Sequence, residues 1–94
     1  MVKYICYCQM TPKFLKLPLE ERREYIPKLT EMAKKHGLKV RFWGSTIGVP
    51  EHVVVVFEAN GCSDNYIKFQ REWQGLGTSE AGEYIEHTRT VTVF

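Results

Sequence analysis

His87 and Arg89 lie two residues apart near the C-terminus, among Ile85, Val91 and Val93. In an extended chain residues two apart share a face. The pair therefore sets a proton acceptor beside a cation able to clamp an anion or an enolate. The same spacing suits an edge strand that turns its polar residues to solvent or to a dimer seam. A second group lies mid-chain, where Arg41 and Trp43 share a strand face and His52 lies across a turn from Ser45. A Trp beside an Arg can line an aromatic-ligand pocket; read structurally, it is an amphipathic edge with Trp43 buried at an interface. Tyr7, on the first strand, and Trp73, on the second helix, should face each other and form aromatic walls together with Tyr4 and Tyr66, or else plain core. The candidate site is thus His87 as the catalytic group, with Tyr7, Arg41, Trp43, His52, Trp73 and Arg89 as ligand-binding residues.

Other chemistries find less support. Cys6 and Cys8 share a face of the first strand, but their spacing differs from the two-residue gap of common zinc and redox pairs, and Cys62 stands alone. Buried thiols acting as small apolar side chains fit better. His36, His52 and His87 fall on separate elements, and no metal site is expected. The run Gly75–Gly82 has the look of a phosphate loop, but it follows a helix and has no Lys after its glycines. It reads as a helix cap and connection, or a lid. The segment Thr11–Lys16 is a second candidate lid.

The elements that carry these residues follow from periodicity. Residues 2–9 are rich in Val, Tyr, Ile and Cys and read as a strand; Pro12 and Pro18 make 10–18 a loop. From Leu19 to His36 the apolar spacing is helical, with Arg22, Tyr25, Ile26, Leu29, Met32, Ala33 and His36 on one stripe. Pro27 should kink or split that helix. Period-two alternation over 38–46 and 51–59, around Gly48-Val49-Pro50, gives an antiparallel hairpin. Ser63 or Asp64 caps a second helix that runs to about Gln74 with Tyr66, Phe69, Gln70 and Trp73 inward. Residues 84–94 close the chain as a strand. The order β-α-β-β-α-β predicts a single domain over 1–94: an α+β, ferredoxin-like fold with a four-stranded antiparallel sheet and two helices on one face.

With 94 residues and 44% hydrophobic content the chain can build a core, and 13 basic against 11 acidic residues leave a charge of +2. That is too mild to argue for nucleic acid or an anionic membrane. No apolar run approaches the ~20 residues of a membrane span. The N-terminus reads as a strand and not as a signal peptide, and three cysteines fit a reduced, cytoplasmic setting. Val53, Val55 and Phe57 point one way from the third strand while Val54 and Val56 point the other. Helices cover one sheet face, so the second needs another cover. A second copy packed sheet to sheet about a two-fold axis supplies it, which predicts a homodimer.

In length, element order and two-sided strands the whole chain resembles the dimeric α+β barrel superfamily, a ferredoxin-like group. The resemblance implies a small, aromatic or hydrophobic molecule held between sheet and helices; the group also has haem-binding members, but no cofactor is expected for this chain. Members include ligand-binding proteins and cofactor-independent monooxygenases, isomerases and cyclases, so the resemblance leaves binder and enzyme both open. In cyclase-like members a first-strand histidine often functions, whereas this chain has Tyr4, Cys6, Tyr7 and Cys8 there. An RNA-recognition module shares the element order, but its basic-Gly-aromatic motif is missing from His52–Glu58. The expected partners are a second copy and a small molecule, with no nucleic acid and no membrane.

Overall fold

The computed structural model describes residues 2–60, 65–73 and 84–93. Its elements are β1 (Val2–Met10), α1 (Pro12–Leu15), α2 (Leu19–Lys35), β2 (Lys39–Ser45), β3 (Val53–Ala59), α3 (Asn65–Trp73) and β4 (Ile85–Val93). The strands form one antiparallel sheet in the order β2-β3-β1-β4, the ferredoxin-like arrangement expected from the element order. The two most continuously apolar strands, β1 and β3, pair at its centre with Tyr4 opposite Phe57 and Cys6 opposite Val55. Among the described residues no helix is long and apolar enough to cross a membrane.

Alternation along β1 decides what each face holds. Val2, Tyr4, Cys6, Cys8 and Met10 are buried beneath the helices, whereas Lys3, Ile5, Tyr7 and Gln9 point away. The helices reach the sheet through apolar stripes: Tyr25, Leu29 and Ala33 of α2, and Tyr66, Phe69 and Trp73 of α3. Phe57 is fully buried where these meet, with ring centroids 5.0 Å from Phe69 and 5.8 Å from Tyr66. Tyr4 stacks on Tyr66 at 4.1 Å. Two polar contacts tie the helices together: Trp73 Nε1 donates to Tyr25 Oη at 2.8 Å, and His36 Nε2 lies 2.6 Å from Glu72 Oε2.

Four local readings need correction. Residues 10–18 contain a helical turn: Pro12 occupies its first position, where the missing N–H costs nothing, and Thr11 Oγ1 accepts from Phe14 N at 3.4 Å. Pro27 does not split α2, which runs unbroken to Lys35. Core contacts at Tyr25 on one side and at Leu29 and Ala33 on the other hold it, and Pro27 itself is exposed. Gly37, at φ +74, then takes the left-handed conformation that ends it. On β2 a register shift between Val40 and Phe42 reverses the alternation. Phe42 consequently joins Arg41 on the face away from the helices, while Trp43 turns to the helical side and is no longer paired with Arg41. A second shift at Gln9/Met10 turns Ile85 into the core while His87, Arg89, Val91 and Val93 face away from the helices. The expected caps Ser63 and Asp64, together with Cys62 and Gly75–Gly82, lie outside the described residues.

Because Pro27 removes one intrahelical hydrogen bond, Pro27→Ala should raise stability by about 1–2 kcal/mol. That is less than the ~3 kcal/mol of an interior helix proline, since proline also restrains the unfolded chain. Urea unfolding measures this, and an unchanged or lowered midpoint would contradict it.

Candidate functional site

The sheet and α2 do not close completely on each other. Between them lies a cavity of about 250 Å³, walled by Phe14, Ile26 and Leu29 from the helices, and by Cys8, Trp43, Val53 and Val55 from the sheet, with Trp73 also contributing. Its exposed mouth carries Leu19, Arg23, Trp43 and Ser45, and the half-buried Arg22 and His52 complete the polar part of the lining. Arg22 is tied down: its Nε donates to Leu17 O at 3.0 Å and its Nη2 to Leu15 O, which fastens the α1–α2 connection.

His52 owes its position to the sheet. Its backbone N–H donates to Cys8 O at 3.0 Å, and its ring Nδ1 accepts from Met10 N at 3.0 Å. The imidazole thus stands in for a strand carbonyl just beyond the β1–β3 ladder. Accepting at Nδ1 leaves the neutral ring's proton on Nε2. His52 therefore has a structural role and contributes an N–H donor to the cavity lining.

Beneath the floor lies a polar thread. Cys6 and Cys8 hold their sulfurs 3.8 Å apart; Gln70 Nε2 is 3.5 Å from Cys6 Sγ and donates to Tyr66 Oη at 2.7 Å, which in turn lies 2.8 Å from Thr90 Oγ1. The hydrogen bond from Cys8 outweighs burial and, with those from Tyr66, Thr90 and Gln70, lowers the Cys6 pKa to about 6. Cys8 moves the opposite way, raised by giving that hydrogen bond, by burial and by the charge beside it. Burial likewise raises Tyr66.

A separate cluster occupies the face away from the helices. Arg89 Nη2 donates to the buried Glu51 carboxylate at 2.7 Å, and its guanidinium carbon sits 4.7 Å from the Tyr7 ring centroid. The Glu51 hydrogen bond raises the Arg89 pKa. Arg41 Nε pairs with Glu58 at 3.6 Å on the same side. His87 stands opposite Gln9 on exposed β4.

The seven residues singled out from the sequence therefore divide. Trp43, His52 and Trp73 gather at the cavity. Tyr7, Arg41, His87 and Arg89 lie on the other side of the sheet, and the register shift on β2 is what separates Arg41 from Trp43. Tyr7 faces away from Trp73 because Tyr4, Cys6 and Cys8 take the helix-facing positions of β1. Sequence reasoning missed Arg23, and it missed Glu51, which sits where a turn residue would normally be solvated. Arg22 gave the available signal: a cation within the apolar stripe of α2.

Comparison with known proteins reaches the fold. No protein-family model and no curated protein matches the sequence. Among solved structures, an uncharacterised NIPSNAP domain protein from Burkholderia xenovorans superposes at TM-score 0.61 with 15% identity, over 100% of this chain and 93% of that one. A chlorite dismutase-like protein superposes at 0.64 with 16% identity; this chain is 98% covered but spans only 42% of the other's length. The chain shares their α+β fold.

Because the Cys6 pKa in the folded state lies below the ordinary 9.0, its stabilisation is complete above pH 9 and is lost as pH falls through about 6. Thiolate absorbance should show a step near pH 6 that Cys6→Ser removes, and stability should rise across the same window. A step confined to the ordinary thiol range, around pH 9.0, would contradict this.

Proposed function

We propose that this chain is a small-ligand protein that holds one aromatic or hydrophobic molecule between α2 and the sheet and works as a homodimer. The observation that carries the reading is the cavity itself, lined mostly by apolar side chains with a few polar ones among them, and with both tryptophans of the sequence in its wall. At about 250 Å³ it lies just below the ~300 Å³ at which drug-sized pockets begin. A molecule of one or two rings is the fitting size.

The homodimer rests on the opposite face. Ile5, Val54 and Val56 line its middle, and Phe42, Val91 and Val93 are 62%, 44% and 43% exposed. Lys3, Arg41, Glu58 and Arg89 rim this apolar surface, and the described helices all lie on the other side. A second sheet, packed about a two-fold axis, covers such a face and closes the assembly. His87 and Arg89 then lie at the seam. A catalytic form of the same reading would use the Nε2–H of His52 as a proton donor at the cavity, in line with the monooxygenase, isomerase and cyclase chemistries that the resemblance implies.

Calorimetric titration with indole, a neutral aromatic probe, tests the cavity. The wild type should bind, and Ser45→Trp, which fills the mouth from an exposed strand position, should weaken binding tenfold or more with the fold intact by circular dichroism. Equal binding by both proteins would overturn the reading.

A further inference from the structure

The charges around the cavity are sorted by sign. Arg22 and Arg23 line it, and among the described residues no carboxylate does. The acidic residues of the same helical turns face elsewhere: Glu21 and Glu24 line a different groove, bounded by Phe14, Leu17, Tyr25, Lys28 and Tyr84. The first two turns of α2 thus turn their arginines toward the cavity and those two glutamates away from it. A helix that merely solvated its outer face would have no reason to sort them so.

The two arginines are not equivalent. The guanidinium of Arg22 is fixed in place, its Nε–H and one Nη2–H given to the carbonyls of Leu17 and Leu15. Arg23 is exposed and makes no ion pair or hydrogen bond with a described residue. His52, on the sheet side of the lining, has its Nδ1 engaged by Met10 N, which leaves Nε2–H as the ring's remaining donor. A cation and an N–H donor therefore both belong to the lining of a chamber whose walls are largely apolar, with Trp43, Trp73, Leu29 and Val55 among them.

Resting on the ligand-binding reading above, the geometry points to the class of ligand: an organic acid, whose aromatic or aliphatic body enters the chamber while Arg23 and His52 hold its single carboxylate. Neutral molecules of the same shape keep the apolar contacts and lose the charge-assisted hydrogen bonds. Those bonds are the stronger kind and set the preference at about tenfold or more.

The test uses hydrocinnamate and its neutral counterpart hydrocinnamamide, titrated calorimetrically into the full chain, with Trp43 and Trp73 emission as a second readout. The wild type should favour the acid about tenfold or more. Arg23→Gln, at an exposed position that leaves the core untouched, should cut that ratio to threefold or less while the affinity for the amide holds. Equal binding of acid and amide by the wild type would overturn the acid preference and leave the ligand-binding reading standing. A ratio unchanged by Arg23→Gln would overturn the role given to Arg23. Failure of indole, acid and amide alike to bind would end both readings together.

Discussion

The antiparallel pairing of β1 with β3 is the constraint on which the rest depends. Both strands are central and apolar on both faces, and period-two geometry offers no way to turn all of that surface to one side. Tyr4, Cys6 and Cys8 against Phe57, Val55 and Val53 demand a helical layer, and α2 and α3 supply it with matching stripes. Ile5 against Val56 and Tyr7 against Val54 form a second apolar band beyond the sheet. Val56 is already only 5% exposed, shielded by its neighbours on that face, while Phe42 and Val91 remain open. At ~25 cal/mol per Å² of apolar area, covering several hundred Å² of such a face outweighs much of the entropy lost on association.

Given this division, two irregularities decide where chemistry can sit. The register shift on β2 sends Trp43 to the helical side and Phe42 to the open side, so one aromatic serves the cavity and the other the bare face. At the end of β3, His52 replaces a strand carbonyl with its imidazole, which holds the ring in the cavity lining and fixes its tautomer. Neither device adds a residue to the core. Both redirect side chains that regular alternation would have placed elsewhere.

The element order, the central pair of strands and the inward stripes of α2 and α3 were legible in the sequence, because each depends on periodicity sustained over seven or more residues. The site was legible only in part. Trp73 follows from a helical stripe, but the grouping of Arg41 with Trp43, and of Ile85 with His87, assumed unbroken alternation, and a one-residue shift reverses every side chain beyond it. Nothing in the residue types marks such a shift in advance. Glu51 was hidden for a different reason: its carboxylate is paired with Arg89, thirty-eight positions away, and no local pattern announces that partner. Pro12 was read as a breaker because a proline that starts a helix and one that prevents it differ only in position.

Sedimentation equilibrium of the wild type beside Phe42→Asp measures the central claim most directly, since Phe42 lies on the open face and outside the cavity lining. A sheet with two apolar faces predicts a wild-type particle of twice the chain mass at micromolar concentration. The charged variant should become a folded monomer. A wild type that sediments as a single chain at every concentration, with its open face in water, would contradict the account.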